Sequence, residues 1–437
     1  MSQHTDTEKH SGPRAVGDAA RLLRYRWVVL GVATVTQAAS GFFVQGIGAM
    51  AVPLQQSLDV STTRIGLLLS ASQLVPLVGL LVAGALLDRH NERWVVGIGS
   101  AVVAAALLLG GLAQGYASLL AVLLVVGAGY STVQPGGSKS VAVWFAPAQR
   151  GLAMGVRQAG LPLGGALAAA VLPLVAVAHG WRAALVVGGL VALVGAGLFT
   201  ALYRRPPAAT AARPAPGTAA PTASVGSRLR MLREPAMTRI LFSGLSLVSV
   251  HSGIGVLGAL YLHDVTALGP GPSAAVLVAV QVAGAAGRIA LAAWSDRSRA
   301  GRYRPVLVCL GAVVAGLTVL TTPAGHSPVV AALLFTWLGF FGIGWYGPWV
   351  AHLAESAPPG RTGFALGLVM AVNQLAVVLV PPALGLLRDT THGFTAAWAA
   401  LAAATAATLV LTARGGGGGG RGTPAATGRT PAGTVRP

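Results

Sequence analysis

Charge is what this sequence has least of. Asp, Glu, Lys and Arg together make up 9% of its 437 residues, and only 11 residues are acidic. Soluble domains average about 25% charged residues. A chain this long could not coat a water-exposed surface with so few, so a soluble globular protein is excluded. Cysteine is nearly missing too: Cys309 is the single thiol, so there is no internal disulfide. The acidic residues fall in tails, loops or at the ends of apolar runs. No cluster of metal ligands, nucleotide-binding loop or nucleophile–base set appears, so no metal, cofactor or catalytic activity is expected.

What the sequence has instead is long apolar runs, 54% hydrophobic residues overall with a mean hydropathy of +0.70. No charge interrupts the stretch from Trp94 to Ser138, and only His326 interrupts Pro305 to Val350. Each stretch exceeds one membrane span of about 20 residues and carries a turn signal midway, "LAQGYAS" and "TTPAGHSP". Read this way, the chain contains twelve spans, near 26–54, 63–87, 94–113, 117–144, 150–176, 182–203, 237–262, 272–294, 304–321, 328–352, 362–386 and 394–413. Continuous runs of this length are helices; a membrane barrel would show short alternating segments.

The net charge of +19 does not mark a nucleic-acid binder, because its placement follows the membrane. Only Arg64, Arg182 and Arg388 fall on one side, three cations lie within spans, and all other Lys and Arg fall on the opposite side. That bias predicts a multi-pass protein of the cytoplasmic membrane with both termini in the cytoplasm. The first twenty residues are polar and the first apolar run is a full span, so no cleavable signal peptide is expected. Arginine outnumbers lysine heavily, as in a GC-rich bacterial genome. Composition divides the chain into a disordered N-terminal segment 1–24, a bundle 25–203, a Pro/Ala-rich linker 204–236, a second bundle 237–413 and a flexible glycine-rich tail 414–437.

The two bundles resemble each other. Gln73, Gly79, Asp88 and Arg89 recur in the second half as Gln281, Gly287, Asp296 and Arg297. "GIG" at 46–48 returns at 253–255, "RGLAMG" at 150–155 returns as "RTGFALG", and "AHGWRAA" at 178–184 returns as "THGFTAA". Two six-span bundles related by an axis along the membrane normal form the architecture of a class of secondary transporters. At the end of the second span stands "GALLDRHNER", with Gly84, Leu86, Asp88, Arg89 and Arg93 in the pattern G-x-L-x-D-R-x-x-x-R. On these motifs the chain resembles the major facilitator superfamily over roughly residues 25–413. The resemblance implies an all-α integral membrane fold of 12 transmembrane helices in two pseudo-symmetric six-helix bundles. It also implies a gate built from Gly84, Asp88, Arg89, Arg93, Asp296, Arg297 and Glu355. In it Asp88 would sit against the start of the helix at Thr362, and Asp296 against the helix start near Gly151.

Three cations inside spans are the remaining puzzle. Arg157 lies seven residues past Arg150, Lys139 six before Phe145 and Arg288 eight before Asp296, depths of about 9–12 Å at 1.5 Å per residue. An arginine near the centre of a span costs roughly 2.5–3.5 kcal/mol on insertion scales, and no carboxylate is expected at their depth. Arg157 and Arg288 are therefore expected to bind the anionic group of a small substrate in a water-filled cavity, with Lys139 adding to the field. "GRIALAAWSDR" around Arg288 is similar to the pattern of monocarboxylate and oxalate-type members, with Ala292 in place of its second glycine. The competing reading has these side chains reaching the interface or bonding carbonyls exposed near Pro135 and Pro162. His251 is a candidate proton carrier, and Gln45, Gln158, Asn373, Gln374 and Trp345 are further candidates to touch substrate. The expected function is a secondary transporter moving a small organic anion as a monomer, with a proton as candidate co-transported ion. Proton-coupled efflux of drugs or metabolites is the main alternative, and a transporter-like membrane sensor a weaker one. Efflux is disfavoured by Leu123 ahead of "GAG" at 127–129 and by "GLPLGG" in the fifth span.

Overall fold

The computed structural model describes residues 13–145, 147–205, 235–297, 303–356 and 362–414. All regular structure among them is helical. The first half consists of α1 (Pro13–Gly46), a 3-10 turn Ile47–Met50, α2 (Ala51–Leu58), α3 (Thr62–Leu74), α4 (Pro76–Arg89), α5 (Glu92–Gly110), α6 (Tyr116–Trp144), α7 (Pro147–His179) and α8 (Trp181–Leu202). The second consists of α9 (Pro235–Asp264), α10 (Pro270–Arg297), α11 (Arg304–Leu320), α12 (Pro328–Gly342), α13 (Tyr346–Ser356), α14 (Thr362–Thr391) and α15 (Thr395–Arg414). Among the described residues eleven helical stretches are long and apolar enough to cross a membrane. The ninth expected span, α11, has 17 residues, about 26 Å at 1.5 Å per residue, before Pro323 opens a short 3-10 turn. Helix α1 begins at Pro13, earlier than the polar composition of 1–24 implies, because "AVGDAARLLR" is rich in strong helix formers. Residues 206–234 of the linker and 415–437 of the tail lie outside the described residues.

Proline sets the breaks. Pro76 offers no N–H to the Ser72 carbonyl, so the second span divides into α3 and α4. Gly127 of α6 lies against that carbonyl, where a Cβ would stand 2.5 Å from the Ser72 oxygen. The tenth span breaks at residues 343–345, between α12 and α13. Within the first half α1, α5, α6, α7 and α8 pack on one another; within the second, α9 packs on α14 and α15, α10 on α12, and α11 on α15.

Three seams join the halves: α3 with α14, α7 with α10, and the Ile47–Met50 turn with α9. At the third the two "GIG" copies meet, and a Cβ on Gly48 would fall 1.9 Å from the Gly255 carbonyl oxygen. The face where α8 ends and α9 begins is called the linker face below, and the opposite one, where α3 begins and α14 ends, the distal face.

Candidate functional site

Between the halves lies a cavity of about 420 Å³. Its wall takes residues from α1, α3, α6 and α7 on one side, and from α9, α10, α13 and α14 on the other. Gln45, Gln158, His251, Arg288, Trp345 and Asn373, all singled out on sequence grounds, line it. Among the described residues Arg288 is the only Lys or Arg in the wall, and no carboxylate lines it.

Arg288 owes its place to a close backbone crossing. A Cβ on Gly287 would stand 2.2 Å from the Phe340 carbonyl oxygen, so only glycine lets α10 run this near α12. The neighbouring helix break leaves the Ile343 carbonyl free, and it accepts from Arg288 Nε at 3.3 Å. Nη1 donates to the Gln158 carbonyl of the other half at 3.1 Å, and the guanidinium lies 5.4 Å from the centre of the Tyr346 ring. Among the described residues Nη2 donates to no acceptor. The alanine at 292 is accommodated from across the crossing, where a Cβ on Gly347 would stand 3.1 Å from that of Ala292.

Arg157 does not reach the cavity. It is 0% exposed, whereas Arg288 keeps 7%. Its Nη2 donates to Gln37 Oε1 at 2.9 Å, to the Gln134 carbonyl at 2.6 Å and to that of Val133 at 3.4 Å. Nη1 reaches Gln158 Oε1 at 3.4 Å. Gly137 makes the room, since a Cβ there would lie 2.7 Å from Nε. Gln37 in turn donates to the hydroxyl of Tyr130 at 3.2 Å, and Tyr130 lines the cavity. In this conformation Arg157 braces the wall from behind, with its partners drawn from carbonyl and amide oxygens beside Pro135.

Lys139 corrects the expectation that every buried cation lacks a protein carboxylate. Its ammonium lies 3.4 Å from Glu92 and donates to the Leu87 carbonyl, away from the cavity. Glu92 is the first residue of α5, where a carboxylate also meets the positive end of the helix. The flexible lysine stem carries the charge toward it. Glu92 accepts further bonds from Arg205 Nε at 2.8 Å and from the Tyr203 hydroxyl at 3.4 Å.

Of the expected gate, Gly84 has open space around its Cβ position, and Arg89 and Arg297 are exposed. Arg93 caps α8 through the Thr200 carbonyl at 2.5 Å. The side chains of Asp88, Asp296 and Glu355 lie outside the described residues.

Several amides in the wall went unremarked as contact residues in the sequence: Gln73, Gln134 and Gln281. Gln73 and Gln281 were visible only as matching positions of the two halves, and that match was the signal. Gln374 Nε2 ties α14 to α3, donating to the Gln73 carbonyl at 2.9 Å and to its Oε1 at 3.2 Å. The His251 ring makes no hydrogen bond to another described residue.

The arrangement is a mainly apolar chamber carrying several amides and, among the described residues, one cation. Chains similar to this one are named as transporters. An uncharacterised MFS-type transporter of Mycobacterium tuberculosis is 28% identical over 394 residues, covering 86% of this chain and 82% of the relative. Monocarboxylate transporter 11 of Mus musculus is 27% identical over 416 residues, 90% of this chain and 86% of its own. The hexuronate transporter of Bacillus subtilis is 29% identical over 192 residues, 44% of each chain. A solved bacterial homologue of the human lysosomal transporter Spinster, inward-facing and occupied, shares the fold with a TM-score of 0.67 at 16% identity, over 90% of this chain and 95% of that one. The model of the Major Facilitator Superfamily matches residues 33–381, and the chain belongs to that family of membrane transporters.

Proposed function

We propose that this transporter carries a small organic anion across the cytoplasmic membrane by alternating access, and that Arg288 holds the anionic group. One observation carries the reading: among the described residues Arg288 is the single cation in a wall without carboxylates, and its Nη2 has no acceptor. A buried guanidinium with a free donor calls for water or an incoming anion, and its planar fork suits a carboxylate. The names of the monocarboxylate and hexuronate relatives support the same chemistry.

The bundles 25–203 and 237–413 are the two moving bodies in this scheme, joined by the 204–236 linker. The bias of Lys and Arg supports a cytoplasmic linker face and cytoplasmic termini. The cavity is complete within one chain, which fits a monomer; a monoanion at Arg288 leaves the loaded chamber neutral, and a proton entering with it would make the net transport electroneutral. His251 on its wall is the group that could carry that proton.

Uptake of radiolabelled carboxylates into proteoliposomes, with counterflow as the criterion for a carrier, tests the proposal. Saturable, counterflow-competent uptake should disappear in Arg288→Ala while the variant still purifies as a folded protein. Unchanged saturation in that variant would end the assignment.

A further inference from the structure

Resting on the anion reading, we infer that the substrate is a hydroxylated monoanion, such as a sugar acid, rather than a plain fatty or keto acid or a dicarboxylate. The inference comes from what shares the chamber with Arg288.

The charge count limits the substrate to one negative charge. Arg157 is sealed behind the wall and Lys139 is held by Glu92, so one guanidinium faces the bound molecule. A second carboxylate would be desolvated without a counter-charge, an arrangement buried sites avoid.

The amides specify the rest of the molecule. Gln45 on α1, Gln134 on α6, Gln281 on α10 and Asn373 on α14 surround the cavity, and their side-chain amides make no hydrogen bond to another described residue. Asn373 keeps 7% exposure, and the buried oxygens Gln281 Oε1 and Asn373 Oδ1 have no partner among the described residues. Whichever way each amide is turned, it presents both a donor and an acceptor. A carboxylate can only accept, and an alkyl chain can do neither. A hydroxyl does both, so the complement is a carbon chain whose hydroxyls meet the four amides while its C–H faces lie against the apolar part of the wall, such as Val248, Leu277 and Ile343. Size and register agree. Gln281 precedes Arg288 by seven residues, two turns of α10, placing the two on one helix face about 10 Å apart along the axis at 1.5 Å per residue. The volume lies near the small end of ligand pockets, which run from about 300 to 1,000 Å³.

The test compares four probes in competition uptake with the full-length protein in proteoliposomes: gluconate, hexanoate, glucarate and sorbitol. Gluconate should bind at least about tenfold tighter than hexanoate, which has the same carbon count and charge without hydroxyls. That margin is modest, since sites built to hydrogen-bond a hydroxyl can reject its absence by roughly 10⁴-fold. Glucarate, with two charges, and sorbitol, with none, should compete weakly. The variants Gln281→Met and Asn373→Leu should erase the gluconate advantage over hexanoate, with melting curves showing that both variants fold. Hexanoate equal to or better than gluconate in the natural protein, or glucarate the best of the four, overturns the inference. Were all acids to bind equally and still need Arg288, the hydroxyl inference alone would fail. Binding indifferent to Arg288 would remove the anion reading beneath it.

Discussion

The Asp389 carboxylate caps the first turn of α3 at Thr63, accepting from the Thr63 amide at 2.8 Å and from its hydroxyl at 2.7 Å. Its other oxygen accepts from the Thr62 amide at 3.1 Å. Two N–H groups that a helix start leaves unpaired are thus satisfied from the other half of the molecule. The span made of α3 and α4 runs antiparallel to α14, so each ends beside the start of the other. The contact implied by family resemblance, Asp88 against the helix starting at Thr362, belongs to the opposite end of this same pair. Asp389 is the distal counterpart of that contact.

Asp389→Asn should loosen the distal seam. An anion at a helix start is worth about 0.3–1 kcal/mol, up to about 2 when partly buried, which corresponds to a roughly two- to thirtyfold change in the closed population. A cysteine introduced at Ala49, in the cavity wall, reports the change through labelling by an impermeant maleimide from the distal side. The native Cys309 is buried and gives little background. Faster labelling in the asparagine variant is the expected outcome; an unchanged rate would show that the carboxylate does not hold this seam.

Lys139→Gln should leave anion affinity within about twofold of the natural protein, because its ammonium serves Glu92 rather than the cavity. Glu92→Gln should be the more damaging change, since Arg205, Tyr203 and Lys139 all converge on that one carboxylate. Hydrogen bonds to a charged group are worth about 1.5–3 kcal/mol, and because Lys139 and Arg205 stay 36% and 50% exposed to water the expected loss lies at or below the lower end of that range. Thermal unfolding in detergent and the apparent KM, measured on both variants, separate the two effects. A large KM change in Lys139→Gln would return Lys139 to the substrate.

How much of this was legible without coordinates follows from what each signal depends on. Span number and the halves were readable because run length and internal repetition are local properties of the chain. Arg157 and Arg288 stood out because charge in an apolar run is rare. Which of the two meets the cavity was not readable: it depends on the rotation of α7 and α10 about their axes and on space left by Gly137 and Gly287. Glu92 read as a loop acid because only one residue separates a loop from the buried first turn of α5. Asp389 likewise read as a span-end charge, since its partners lie 326 and 327 residues away.

Arg157 and Arg288 should therefore respond differently to the same substitution. Arg288→Lys keeps the charge and loses the fork, so apparent affinity for the anion should fall by about tenfold or more, as for loss of one charge-assisted hydrogen bond at roughly 1.5–3 kcal/mol. Arg157→Lys should act mainly on stability, because Gln37 and the carbonyls of residues 133 and 134 would lose donors inside the wall. The readouts are a KM series and a melting curve on each variant. Equal KM effects with no melting difference would mean that both guanidiniums touch the substrate.

The sharpest steric prediction lies where the two "GIG" segments cross. A Cβ on Gly48 would stand 1.9 Å from the Gly255 carbonyl oxygen and 2.8 Å from its carbon, both backbone atoms that no rotamer change can move. Gly48→Ala must push the halves apart on the distal side. The reverse substitution is mild, because a Cβ on Gly255 meets only a Leu69 methyl at 3.8 Å. Two alanines on facing segments should thus have opposite outcomes: Gly48→Ala raises distal labelling at Ala49→Cys beyond the effect of Asp389→Asn, while Gly255→Ala leaves it near the natural rate. Combining Gly48→Ala with Asp389→Asn should add little, since a seam already wedged open has no closed population left for the carboxylate to hold. Equal behaviour of the two alanine variants would mean that the backbone contact at Gly48 is not what closes the distal face.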